Sequence, residues 1–202
     1  MLLIGAGGHA LEALDILLAC GITDIQIYDK NEAIVSFQGE YRVIHSEEEA
    51  GKAIAADPRF VLGVGNPTLR KRLYDQLTRL GGEYYPIRGK ENVLSPFASF
   101  AAADVFNHNF VGPNARIGKG CLINTGAQIH HEVVIGEFTE VSPRAVLLGG
   151  VQVGALCSIG ANATILQQVK IGNNVIVGAG AVVTKDVRDG VTVVGVPARV
   201  VR

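Results

Sequence analysis

The stretch IGKGCLINTGAQIHHEVVI, residues 117–135, sets isoleucine at 117, 123, 129 and 135. The same six-residue step runs outward in both directions without an insertion. It takes in Val105, Val111, Val141, Leu147, Val153, Ile159, Ile165, Ile171, Val177 and Val183. A small or β-branched residue lies two places before each from Ile117 onward, as at Ala115, Cys121, Ala127 and Val133. Neither a helix of period 3.6 nor a half-buried strand of period 2 produces this spacing, whereas stacked hexapeptide rungs do. Three hexapeptides make one turn of a parallel β-helix, so the run predicts a little over four turns with a continuous aliphatic column inside. Rungs stack at the ~4.8 Å separation of paired strands.

Composition agrees with that reading. The 25 glycines are about twice the usual ~7%, and most fall inside the repeat. With 18 Lys and Arg against 19 Asp and Glu and no long basic run, nucleic acid has little to bind. Residues 145–169 carry no charge and are long enough to span a bilayer, but the six-residue period passes through them unbroken. No membrane insertion is expected. Of the three cysteines, Cys121 and Cys157 occupy the small inward position of the repeat and Cys20 lies in a predicted helix. An odd count without framework spacing fits a reduced, cytoplasmic protein. The chain enters a strand at once without a basic leader, which argues against a signal peptide.

The first 88 residues follow a different rule. Residues 1–5 read as a strand, Ala10–Cys20 as a helix stopped by Gly21, and Ile25–Tyr28 as a second strand. Ser46 and Glu49 have the spacing of a capping box. Phe60–Val64 is a third strand, followed by a helix over about 68–80. Alternating strands and helices imply a parallel sheet, hence a small α/β Rossmann-like domain over 1–88. The β-helix occupies 89–202, with Glu91–Phe100 as a transition.

Gly5-Ala6-Gly7-Gly8-His9-Ala10 fits the G-x-G-x-x-[GA] loop between strand and helix, and Asp29 closes the next strand. In that context a helix N-terminus faces phosphate and the acid faces a ribose. With three clear strands the domain is too short for a full dinucleotide unit, so one nucleotide, such as that of a nucleotide sugar, fits better. An NAD site and a purely structural glycine turn are the alternatives. Gly63, Gly65 and Asn66 follow a parallel strand on the same edge.

His131 and Glu132 follow Ile129 in the repeat, and one turn on they meet Gly149 and Gly150. An imidazole beside two residues without side chains suits acyl transfer: a base for the nucleophile, and bare backbone N–H groups for the developing oxyanion. Glu132 would orient the ring, provided that the chain bends there, because neighbours on a strand face opposite ways. A solvated surface corner is the plain alternative. His108 and His130 lie in different columns and no third histidine joins them, so no metal site is expected.

The GAGGHA loop, the strand-terminal YDK, the GVGN turn, INTGAQIHHEVVIGEF, the hexapeptide run and the closing GVPAR together resemble the sialic-acid O-acetyltransferase/UDP-amino-sugar N-acetyltransferase family. The likeness covers nearly the whole chain. It implies a left-handed β-helix, a homotrimer with active sites between subunits, acetyl-CoA as donor, and an N-terminal domain that holds the nucleotide sugar. By the same resemblance His131 is the catalytic base, Glu132 its partner, and Asn124 a polar residue near the acceptor. Gly7, Gly8 and His9 form the phosphate-facing loop, Asp29 and Lys30 the uridine side, and Gly65 with Asn66 a further substrate edge. Gly149, Ala161 and Ala179 line the acetyl-CoA cleft with backbone. Glu140 stands where some relatives carry a histidine near the coenzyme arm, and His130 replaces a residue that is often acidic or neutral.

The expected activity is acetyl transfer from acetyl-CoA to the amine of a UDP-linked 4-amino sugar. O-acetylation of a sialic-acid-like sugar is the nearest alternative. A trimeric scaffold that merely senses a nucleotide, and an NAD-linked enzyme, are rivals from other classes.

Overall fold

Leu2, Leu3 and Ile4 are all buried, as befits a strand covered on both faces. This strand, β1 (Leu2–Ile4), lies at the middle of the first sheet. Around it the chain lays down α1 (Gly8–Ala19), β2 (Gln26–Tyr28), β3 (Ser36–Phe37), β4 (Tyr41–Ile44), α2 (Glu47–Ala56), β5 (Arg59–Leu62), α3 (Pro67–Arg79) and β6 (Glu83–Tyr84). The strand order is β3-β4-β2-β1-β5-β6, with every pair parallel except the β3–β4 hairpin.

Five parallel strands are therefore present where the sequence suggests three. The missed ones, β4 and β6, are short and lie at or near the sheet's edges, so neither carries a long apolar run. Order reverses between β1 and β5, and such a switch opens a crevice at the carboxyl ends of the strands. Gly63 closes the packing behind it. A Cβ there would come within 2.8 Å of both the Ala10 side chain on α1 and the Ile4 carbonyl.

The computed structural model describes residues 1–201 and divides them into two units, Met1–Gly65 with Leu69–Ile87, and Asn66–Thr68 with Arg88 onward. The second unit is a parallel β-helix with three faces. Gln128 pairs with Val146, Val134 with Gln152 and Glu140 with Ser158, so one turn is 18 residues. The inward residues of all three faces form one buried column, Val105 through Val193.

This helix extends beyond the uninterrupted period. Val93–Leu94 and Ser99–Phe100, in the segment read as transitional, are already rungs. Val93 pairs with Phe110 and Ser99 with Arg116, a spacing of 17 residues. At the far end Ile176 pairs with Thr192, a spacing of 16. Shortened turns hide these rungs from a strict six-residue count. The uncharged stretch 145–169 forms rungs of the helix, and no helix among the described residues is long and apolar enough to cross a membrane.

The inward cysteines do more than fill space. Cys121 Sγ donates to the Gly136 carbonyl at 3.0 Å, Thr139 Oγ1 to Gly154 at 2.8 Å, and Cys157 Sγ to Gly172 at 3.0 Å. Three successive rungs thus satisfy a corner carbonyl with the same short donor, which a buried acceptor requires.

Candidate active site

Each β-helix turn has three corners, and the corner after Gln128–Ile129 holds His131 and Glu132. The required bend is there: Glu132 has a φ of 62°, a left-handed value shared by Asn114 one turn below and by Gly150 and Gln168 above. The kink belongs to the corner and turns two sequence neighbours toward one another. His131 Nδ1 lies 3.1 Å from Glu132 Oε2, and the histidine side chain is 59% exposed, so the ring is outside the core. A carboxylate at Nδ1 favours the proton on that nitrogen and leaves the Nε2 lone pair as the base.

Gly149 is the seat of the ring. A Cβ built on it collides with His131 Cε1 and Nε2, so the imidazole occupies the place a side chain would take. Both glycines are thus covered, because Gln168 likewise lies over Gly150. Nor are both amides bare. Gly150 N–H donates to the His131 carbonyl at 2.9 Å, while Gly149 N–H donates to no described group. One donor beside the imidazole remains for an oxyanion, where the sequence suggests two.

Asn124, Ala161 and Ala179 do not join this corner. They lie at the neighbouring one, between the face of Leu122–Ile123 and that of Gln128–Ile129. Asn124 is buried, and its Oδ1 accepts from Thr125 N–H at 2.7 Å. The amides of Ala161 and Ala179 donate to no described group, as does that of Gly149. Glu140 sits on the face preceding that corner and accepts from Ser142 Oγ at 2.9 Å. His130 packs its ring at a tilt of 58° against Phe110, with centroids 5.5 Å apart. Among the described residues no three His, Cys, Asp or Glu side chains come together as a metal site needs.

In the α/β unit a cleft of about 210 Å³ opens at the carboxyl ends of β1 and β2, lined by Gly5, Tyr28, Asp29, Lys30, Arg72 and Gln76 among others. Asp29 ties the loop to it: Oδ2 accepts from Ala6 N–H at 2.9 Å and Oδ1 from Asn31 N–H at 2.8 Å. Lys30 reaches Glu47 at 3.2 Å. Helix α1 starts at Gly8, its N-cap Gly7 offers no side-chain cap, and nothing lies within 4 Å of where Gly7 or Gly8 would carry a Cβ. An uncapped helix N-terminus with room for close approach suits an anion. Gly65 and Asn66 follow β5, but neither lines the cleft, and Asn66 belongs to the second unit.

His9 sits in the first turn of α1, and burial, helped by the Arg70 charge, brings its pKa down to about 4. It is neutral at pH 7, so its 3.7 Å approach to Glu12 is not an ion pair then. Arg70 itself is fully buried. It donates to the Leu62 and Val64 carbonyls at 3.1 and 2.8 Å and to the Tyr84 hydroxyl at 3.2 Å, which pins the turn after β5. The sequence reading missed Arg70, Arg72 and Gln76. For Arg70 a signal was present, since Arg70, Leu73 and Leu77 share one face of α3 and an arginine on an apolar face is unusual.

Comparison with known proteins follows the same division. The PglD N-terminal domain model matches residues 1–77, and the bacterial transferase hexapeptide model matches residues 132–167 and 150–185. PerB from Caulobacter crescentus, solved in complex with CoA and GDP-perosamine, is 30% identical, with 98% of this chain and 95% of that one covered at a TM-score of 0.91. Histidine mutants of that GDP-perosamine N-acetyltransferase match equally well. The acetyltransferase domain of PglB from Neisseria gonorrhoeae, in complex with acetyl coenzyme A, is 27% identical over 99% of this chain and 98% of that one, at a TM-score of 0.90. With both domain types present in this order and the likeness running end to end, the chain belongs to the hexapeptide-repeat sugar N-acetyltransferases.

Proposed function

We propose that this chain transfers the acetyl group of acetyl-CoA to an amine on a nucleotide-linked sugar, with His131 as general base. The observation that carries the reading is the exposed imidazole seated on Gly149, with a carboxylate at Nδ1 and a free backbone N–H beside it. The amine attacks the thioester carbonyl, forming the C–N bond. Nε2 of His131 takes the proton, the Gly149 amide stabilises the oxyanion, and the C–S bond breaks as the proton passes to the departing thiolate. Asn124 contacts the acceptor; Glu140 and the backbone at Ala161 and Ala179 line the donor cleft. No metal enters this scheme.

We read the assembly as a homotrimer with shared sites, and the placement of the corners supports that reading. Asn124, Ala161 and Ala179 stand one corner away from His131 on the same chain, so a second copy is needed to bring the two sets together. The face between those corners carries exposed Val93 and Phe110, apolar surface that a second copy would cover.

The N-terminal unit is read as a Rossmann-like half that holds the nucleotide, and the β-helix as left-handed, with the two domains at 1–88 and 89–202. The five parallel strands remove the length argument against a dinucleotide. A nucleotide sugar is favoured instead by the relative solved with GDP-perosamine. UDP and GDP acceptors are both candidates, and the cytoplasm is the compartment that three cysteines without a disulfide favour. Family membership sets aside the non-catalytic scaffold.

Free-thiol release from acetyl-CoA, measured across UDP-, GDP- and CMP-linked amino sugars, tests the reading. Thiol release that requires one of these amines supports it. Release only with a hydroxyl sugar substitutes O-acetylation, and no acceptor-dependent release at all overturns it.

A further inference from the structure

The cleft of the α/β unit is apolar where Val64, Leu69 and Leu73 line it, and Tyr28 and Gln76 bring polar atoms to the same wall. At about 210 Å³ it is smaller than the ~300–1,000 Å³ of a pocket that encloses a whole drug-sized ligand, and it suits one flat ring system. Gln76 is buried, and both hydrogens of its amide are committed. Nε2 donates to Glu47 Oε1 at 2.8 Å and to the Tyr28 hydroxyl at 3.3 Å. A carboxylate only accepts, so the Glu47 contact fixes which end of the amide is nitrogen and leaves Gln76 Oε1 as an acceptor. Tyr28 accepts from Gln76 and keeps its own hydroxyl proton to donate. Lys30 and Gln76 both use Oε1 of Glu47, so its Oε2 accepts from no described group. Because the Gln76 amide touches both neighbours, the three side chains stand in a row: a donor, an acceptor and a second acceptor.

We propose that this row reads the base of the nucleotide, and that the base is guanine. The inference rests on the nucleotide-sugar reading above and names its nucleotide. Along its Watson–Crick edge guanine presents O6, N1–H and the N2 amine, an acceptor followed by two donors. That is the complement of Tyr28, Gln76 and Glu47 taken in order. Uracil satisfies the first two groups, but its third is the O2 carbonyl, which the Glu47 carboxylate repels. Cytosine and adenine set an amine against the Tyr28 hydroxyl and a bare ring nitrogen against Gln76 Oε1, so lone pair meets lone pair. In a cleft closed to water on one side such mismatches stay unpaired, and the loss falls on affinity.

Calorimetric titration of GDP, inosine diphosphate, UDP, CDP and ADP tests the assignment on wild type, Tyr28→Phe, Gln76→Leu and Glu47→Gln, with thermal melts to show that each variant is folded. GDP should bind about tenfold more tightly than inosine diphosphate, which lacks only the N2 amine, and about 10- to 100-fold more tightly than UDP, CDP or ADP. Glu47→Gln should erase the advantage of GDP over inosine diphosphate and leave the latter within about twofold. Tyr28→Phe should weaken those two alike by about tenfold and leave ADP unchanged, and Gln76→Leu should bring GDP down to the level of CDP. A merely structural role for these side chains would weaken all five nucleotides by one factor and overturn the assignment, as would UDP, CDP or ADP binding as tightly as GDP. Thiol release with the matching amino sugars separates the two readings. Transfer that is indifferent to the base removes the guanine assignment and leaves the acetyltransferase standing. Selective GDP binding without transfer to any amino sugar does the reverse.

Discussion

The two units build their sites by opposite means. In the β-helix the proposed base stands on a corner whose position repeats every 18 residues, and its neighbours are whatever the sequence places one turn away. In the α/β unit the cleft gathers residues from β1, β2, the turn after β5 and helix α3, and no fixed spacing links them. A repeat makes the site modular: a residue on one rung can be exchanged without altering the register. A crossover sheet makes it cooperative. The loop of Gly5–His9 is held by Asp29 from another strand, and the turn after β5 by a buried arginine from α3. The corner should therefore tolerate substitutions structurally while losing chemistry, and the cleft should lose binding and stability together.

The largest effect expected is at the corner. His131→Ala should lower kcat by about 10²–10⁴ with thermal stability and oligomer size retained; near-normal turnover would remove the histidine from its role. Gly149→Ala comes next. Its methyl group displaces the imidazole, and misplacement of about 1 Å costs about 10² in rate, so steady-state kinetics should show that loss with little change in melting temperature. If instead the variant unfolds, the modular view of the corner is wrong.

In the α/β unit, Asp29→Ala releases the Ala6 amide and with it the loop. Affinity for the nucleotide should fall about tenfold by calorimetry, as loss of a charge-assisted hydrogen bond implies, while coenzyme A binding is unaffected. Parallel loss of both ligands would deny the division of labour.

Acid should separate the units further. His9 has a folded pKa of about 4 against 6.5 for the free side chain, so the unfolded chain binds more protons between those values. The stabilisation is fully present above pH 6.5 and is lost as pH falls toward 4, by about 3 kcal/mol in all. Denaturant melts at pH 7 and 4.5 should show that loss, and His9→Asn should flatten it. An identical slope in the variant would locate the pH sensitivity elsewhere.

The smallest effect concerns the core of the β-helix. Cys157→Thr should be nearly neutral, since Thr139 makes the same hydrogen bond one rung below. Cys157→Ala leaves the Gly172 carbonyl unsatisfied and should cost about 1 kcal/mol, or about 2–4 °C in Tm.

Much of this was legible before any coordinates. The six-residue step from Val105 to Val183 dictated three faces and the stacking of Gly149 on His131, because each rung permits only one register. The capping box at Ser46 is present, with Ser46 Oγ accepting from Glu49 N–H at 3.1 Å. What the repeat could not disclose lay where its period fails: the rungs at Val93 and Ser99, reached through 17-residue turns, and the closing turn of 16. In the α/β unit β4 and β6 escaped notice because their pairing is non-local and their apolar runs are short.

The string of residues alone determined the prism, its inward column and the meeting of imidazole with glycine, since a strict period converts sequence distance into spatial distance. Only the tertiary structure decided that the Gly149 amide donates to no described group while Gly150 spends its own on the His131 carbonyl, and that Asn124 and Ala161 stand at a different corner. It alone showed Arg70 buried beside the turn after β5. Hydrogen-bond direction and burial depend on what the rest of the chain leaves unsatisfied, and no spacing rule encodes that.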